Sequence, residues 1–191
     1  MKSVLISIQP KWCELIASGK KTIEVRKTKP KLKPPFKCYI YCTNGKERLW
    51  VLSGSERYFN CEKIACIAQA KDVGGAYQGN GKVIGEFVCD VVITAEHGRY
   101  VVLNSHDTQI ESLDLCDYAE GKTVYGWNIS ELVIYDQPKK LSEVAKLNKC
   151  RYNNHGECTF ACHCYRAGQT NLCGDYMERP PQSWCYVEEV E

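Results

Sequence analysis

The sequence predicts an α+β fold that is mostly β: a small barrel with a few short helices and a Cys-rich, metal-binding appendage. Three observations lead there. Short runs of β-branched and aromatic residues recur along the chain, bounded by Gly, Pro and Asn. They do not alternate with long helical patterns, as a doubly wound parallel sheet requires, so a small barrel fits better. Six of the thirteen cysteines, Cys150, Cys158, Cys162, Cys164, Cys173 and Cys185, lie in the last quarter of the chain.

In chain order, "SVLISIQP" reads as a first strand. Pro10 suits the first position of a helix, "PKWCELIASG" places Trp12, Leu15 and Ile16 on one face, and Gly19 stops it. "KKTIEVRK" alternates Ile23 and Val25 with Thr22, Glu24 and Arg26, the period of a strand. A basic, Pro-rich loop, "KPKLKPP", leads to "KCYIYCT", another strand. Residues 44–62 give no firm reading. "KIACIAQAKDV" suits a buried strand, although its alanines also allow a helix, and "VGGAYQGNG" suits a hairpin connection. "KVIGEFVCDVVIT" is the clearest strand, with Gly85 marking a bulge or a close approach. "DTQIESLDLCDYAEG" reads as one short helix ended by Gly121. "TVYGWNISELVIYDQP" reads as one bent strand or two, ended by Pro138. The expected organisation is a barrel over residues 1–145, a Cys-rich segment over 146–178, and a tail, 179–191, that packs back on the barrel.

A length of 191 residues and 44% hydrophobic content are enough for one globular core. No apolar run approaches the roughly 18 residues of a membrane span, and the N-terminal apolar run is too short for a signal peptide. The expectation is a soluble, cytoplasmic protein with no membrane partner. The net charge of +2 hides an asymmetry: residues 1–37 carry ten Lys/Arg against two acids, and the remainder fifteen against twenty-one. A basic stretch in an otherwise acidic chain suits an anionic partner such as nucleic acid, although Lys29, Lys31 and Lys33 could equally solvate a loop.

Within that stretch, strand alternation sends Ile23 and Val25 to the core and leaves Thr22, Glu24 and Arg26 on one face. Beside Lys21, Arg26 and Lys27, the Glu24 carboxylate stays ionised. It can accept from a base N–H, while Arg26 forks onto a phosphate or carbonyl. The plainer alternative is a surface Glu24–Arg26 pair worth about 0–1 kcal/mol.

Cys13, Cys38, Cys42, Cys61, Cys66, Cys89 and Cys116 are scattered, mostly in apolar runs, where a thiol acts as a small hydrophobe. The clustered set reads as metal rather than disulfide. Cys150-x7-Cys158-x5-Cys164 has the spacing of a CCCH finger, with Gly168 at the expected His and Cys173 available as the fourth ligand. A structural zinc held by Cys150, Cys158, Cys164 and Cys173 follows, with Cys162, His155 and His163 as rivals and free loop thiols as the alternative.

"SIQPKWCELIASGKKTIEVRK", "GKVIGEFVCDVV", "YGWNISELVIYDQPKKLSE" and "RPPQSWCYVEE" together resemble the ASCH domain family, a PUA-like β-barrel family, and in particular members carried by bacteria, phages and prophages. The resemblance implies a cleft beside the barrel that takes RNA or a modified nucleotide, lined here by Lys21, Glu24, Arg26 and Lys27. It also implies that some members are enzymes, one branch hydrolysing acetylated cytidine with a Lys, a Thr and a Glu and another acting as a ribonuclease. Lys21 matches that branch's lysine, Glu24 replaces its threonine, and Glu86 is a candidate for its acid. The function expected is nucleic-acid or modified-nucleotide binding. The alternatives are a nucleoside- or RNA-acting hydrolase at the same residues and a zinc-finger adaptor for protein partners.

Overall fold

The computed structural model describes residues 2–52, 65–67, 76–144, 177 and 179–189. The chain opens with β1 (Lys2–Ile8) and α1 (Pro10–Ala17). Pro10 occupies the first turn, and Gly19, at φ 72°, ends the helix by donating its N–H to the Ile16 carbonyl at 2.9 Å, as the sequence implied. β2 (Ile23–Arg26), β3 (Phe36–Cys42), β4 (Leu49–Leu52), β5 (Ala65–Ile67) and β6 (Ala76–Gln78) follow. Then come β7 (Lys82–Cys89), β8 (Val92–Ala95), α2 (Ser105–Thr108), α3 (Ser112–Ala119), β9 (Val124–Asn128), β10 (Ser130–Lys140) and β11 (Trp184–Glu188).

These strands make a mostly β, α+β fold of three sheets, and the described pairings do not close a barrel. The largest sheet has the order β10-β7-β3-β1-β11; β1 and β3 are parallel and the other pairs antiparallel. The second sheet is β2-β9-β8 and the third β5-β4-β6.

Two segments turn corners between sheets, one read from the sequence as a single strand and the other as one bent strand or two. β7 lies in the large sheet and β8 in the small one, with the change at Asp90 and Val91. β9 and β10 make the reverse change at Ile129. Strands that switch sheets in this way join layers whose directions differ. The two corners are stitched together: Asn128 Nδ2 donates to Asp90 Oδ1 at 2.7 Å, and Asn128 N to the Val91 carbonyl at 3.0 Å.

Two further elements depart from the sequence expectation. The helix expected over residues 107–121 is two helices, α2 and α3, separated where Gln109 takes a left-handed φ of 55°. Pro138 lies inside β10 rather than ending it. The ladder with β7 is irregular between Ile134 and Lys139, where a residue without an N–H does least harm. Gly85 does mark a close approach: a Cβ there would lie 2.3 Å from the Val133 carbonyl oxygen, which no other residue could accommodate without a backbone shift.

The main core lies on one face of the large sheet and includes Val4, Ile6, Ile8, Cys38, Ile40, Ile84 and Phe87, closed by α1 and by Trp127 of β9. The opposite face carries Leu5, Tyr39, Tyr41, Val83 and Val187, with Leu141, Val144 and Met177. A third cluster, Ile23, Val25, Leu115, Ala119 and Val124, fills the space between the small sheet and α3. Cys13, Cys38, Cys42 and Cys89 are fully buried and act as small apolar side chains. β11 pairs along β1 from Lys2↔Glu188 to Ile6↔Trp184, which adds the C-terminal strand to the edge of the large sheet.

Candidate functional site

β2 is an edge strand of only four residues, and both its faces are covered. Ile23 and Val25 enter the third core cluster, as alternation required. Glu24, on the other face, is not solvated: its residue is 6% exposed, and Lys21 just before the strand is 1% exposed. The plainer alternative, a solvated Glu24–Arg26 pair at the surface, does not fit this burial. The turn after α1 aims Lys21 inward, its backbone N–H held by the Leu15 carbonyl at 2.9 Å.

Three charges meet there. Glu24 Oε1 lies 3.0 Å from an Arg26 terminal nitrogen and Glu24 Oε2 3.6 Å from Lys21 Nζ. Arg26 reaches across to the large sheet and donates to the Ser7 carbonyl at 2.6 Å. Lys21 Nζ donates to the Thr108 carbonyl and sits 5.0 Å from the centre of the Trp12 ring. Burial holds the Lys21 pKa below the usual lysine range, an effect that the Glu24 carboxylate offsets only in part and that Arg26 reinforces. One carboxylate among two buried cations leaves a surplus of positive charge in a desolvated place.

The cover over Lys21 comes from α2. Asn104 caps it by accepting from the Asp107 N–H at 2.8 Å, and its amide donates to Asp107 Oδ2 at 2.6 Å. These contacts hold the Asp107 carboxyl below the usual carboxylate range, helped by His106 and Thr22. The Asp107 carbonyl accepts the Thr22 N–H at 2.9 Å, so the turn is tied to the entry of β2. Asn104, Asp107 and Thr108 were not singled out from the sequence, and Trp12 was read only as part of the apolar face of α1. An Asn three residues before an Asp is a capping pattern that could have revealed the turn, but nothing local reveals what it covers.

Two buried donors on this side have no hydrogen-bond partner among the described residues: Arg26 Nε and Trp127 Nε1. Trp127 stands directly opposite Glu24 in the β2–β9 ladder, so the two side chains share a face. Cys13 lies close by, donating to the Ile8 carbonyl at 3.5 Å. Burial pushes its thiol well up, with Cys42 and Glu24 adding to the effect, so it is no nucleophile.

Of the other expected residues, Lys27 is at the surface, paired with Glu120 at 3.1 Å and lying 5.1 Å from the Tyr118 ring centre. Glu86 is not part of the cluster. It stands opposite Tyr39 on the far face of the large sheet, accepts from Tyr135 Oη at 2.5 Å and pairs with Lys37 at 3.2 Å. One residue along β7, Phe87 faces the main core, and alternation turns Glu86 away from it. Cys150, Cys158, Cys164 and Cys173, with their rivals Cys162, His155 and His163, lie outside the described residues. Among the described residues no group of three or more His, Cys, Asp or Glu could hold a metal ion.

A mostly β domain with a buried Lys–Glu–Arg cluster covered by α2 is thus the class that the fold and this site define. The chain belongs to the ASCH domain family, whose model matches residues 6–161. It is similar to the crystal structure of ZmASCH from Zymomonas mobilis at 15% identity, covering 98% of this chain and 88% of that one with a TM-score of 0.48. A tyrosine-to-phenylalanine variant of that protein gives 15% identity, 100% and 93% coverage and a TM-score of 0.49. No curated protein matches the chain significantly.

Proposed function

We propose that the chain binds RNA, or a modified nucleotide, through the Lys21, Glu24 and Arg26 cluster, with Lys27 at its rim. What carries this reading is the burial of a Lys–Glu–Arg cluster that leaves two donors, Arg26 Nε and Trp127 Nε1, without a partner among the described residues on the side of the Glu24 carboxyl group. Unsatisfied buried donors next to an acceptor suit the edge of a base, which offers both. Because Lys21 and Glu24 are covered, a base reaches them only when residues 104–108 shift. Family membership supports the same class of ligand. Mass spectrometry of nucleotides co-purifying with the protein, with binding to a panel of 12-nucleotide homopolymers, tests it. One base should be preferred by about tenfold, the worth of a good bidentate contact. Equal binding to every homopolymer removes the base-reading role, and no binding to any of them, with no co-purified nucleotide, removes the reading.

A second reading, hydrolysis of an acylated or otherwise modified nucleoside, is favoured by the lowered pKa of Lys21, which brings a lysine base closer to neutral pH. Turnover of acetylated cytidine that Lys21→Met abolishes, with nucleotide affinity retained, would establish it; no turnover by the wild-type protein would dismiss it.

We also propose one structural zinc per chain on Cys150, Cys158, Cys164 and Cys173, which would order the segment that carries them. Its support is the cysteine spacing together with a closed stem: Met177 N donates to the Val144 carbonyl at 3.1 Å, and both residues are buried. Metal analysis should give about one zinc, lost in Cys158→Ser; protein purified without chelator and free of zinc would refute the site.

A further inference from the structure

The loop between β2 and β3 is anchored by the C-terminal strand. Trp184 Nε1 of β11 donates to Thr28 Oγ1 at 2.9 Å, and the Lys31 backbone N–H donates to Tyr186 Oη at 2.7 Å. Pro30 is buried and Leu32 packs against the main core, while Lys29, Lys31 and Lys33 are all exposed. The alternation of "KPKLK" thus becomes physical: apolar residues hold the loop down and three ammonium groups face solvent. Among the described residues none of these three forms an ion pair. Of the flanking carboxylates, Glu120 is already engaged by Lys27 and Lys122.

Aromatic rings line the same margin. Lys29 Nζ lies 5.1 Å from the Tyr125 ring centre, and Lys2 Nζ lies 4.0 Å from that of Tyr186. The Tyr186 ring packs edge-on against Trp184 at 5.4 Å. Both tyrosines are half-buried and pack against the main core, and an ammonium over a ring at such a margin is held weakly, by roughly 0.5–1 kcal/mol. A base can take the ring face while the ammonium moves to a phosphate.

We propose that this margin binds the backbone of a single-stranded polynucleotide, with Lys29, Lys31, Lys33 and Lys2 on phosphates and Tyr125 and Tyr186 stacking on bases. It deepens and rests on the reading of the chain as an RNA binder, and it names a polymer rather than a free nucleotide as the ligand. The charge complementarity and the interleaved rings are what single-strand surfaces combine. A duplex, with its bases already stacked, would leave the rings unused. The loop is already held in place, so little ordering is needed on binding.

The test is fluorescence anisotropy with a fluorescein-labelled 12-nucleotide oligouridylate, a 12-base-pair RNA duplex and uridine monophosphate as competitor, over a series of salt concentrations. Replacing Lys29, Lys31 and Lys33 together by Ala should lower the slope of log affinity against log salt by about 2, at roughly 0.7 per phosphate contact on a single strand. Tyr125→Leu should weaken binding about tenfold and leave the slope in place. Thermal melts establish that both variants fold. An unchanged slope in the triple variant overturns the proposal and leaves RNA binding at the cluster intact. Equal affinity for the duplex, with the same slope, overturns the single-strand assignment. Binding of the mononucleotide by calorimetry but no binding of the 12-mer overturns the surface while keeping the nucleotide reading, and no binding of either ends both.

Discussion

Glu24 is the residue on which the buried cluster depends. It holds two cations that otherwise have, among the described residues, only backbone carbonyls and an aromatic ring as partners. Glu24→Gln keeps the shape but removes the charge, leaving two buried cations without a counterion. The expected loss of stability is about 3 kcal/mol or more, read as a lower urea midpoint at constant m-value. A loss below about 1 kcal/mol would show that the pair behaves like an exposed one. Residue chemistry was only partly legible in the sequence. Alternation placed Glu24 and Arg26 together and Ile23 and Val25 in the core. It could not reveal that the first face is also covered, because the cover, Thr108, is 87 residues from Lys21 along the chain. Glu86 was a candidate only through the family resemblance; the register of β7 puts it on the far side of the sheet.

Elements with local signals were read well and those defined by tertiary pairing were not. α1 has Pro10 at its start and Gly19 at its end, both visible in the sequence. The break at Ile129 was visible as one bent strand or two, but the corner at Asp90 was not, since "EFVCDVVIT" carries β-branched residues on both sides of the turn and only the partner strands decide which sheet each half joins. α2 is too short for periodicity to show, yet its cap has a measurable signature. The Asp107 pKa is lowered in the fold, chiefly by the Asn104 amide, so its contribution is present above the ordinary carboxylate pKa and disappears as pH falls through the lowered one. The difference in melting temperature between wild type and Asp107→Ala should therefore be full at about pH 6 and shrink below about pH 4. A pH-independent difference would mean that the Asp107 charge contributes nothing. Asn104→Ala should cost about 1 kcal/mol by chemical denaturation, the usual worth of a cap.

At the scale of the whole molecule, the closed stem at Val144 and Met177 has a direct test. Its two ends already meet, so replacing residues 145–176 by a short Gly/Ser linker should leave the sheets folded. The melting temperature should move by only a few degrees, because shortening a loop changes closure entropy slowly. Collapse of the fold on excision would show that the segment belongs to the core. No helix among the described residues is long and apolar enough to cross a membrane.

β1 sits between β3 and β11, and its second partner is separated from it by nearly the whole chain, Lys2 facing Glu188. On the ribosome, β1 emerges long before β11, and that edge stays open until Trp184–Glu188 has been made. Its residues 4–6 are fully buried in the finished fold, so a stalled nascent chain presents an unpaired, apolar strand edge. Such an edge is what aggregates form on and what holding chaperones capture. Chains ending before Trp184 should accordingly go to the insoluble fraction on expression, and a separate peptide carrying residues 179–189 supplied in trans should return part of them to solution. Soluble, monomeric truncated protein would show that β1 does not need its late partner.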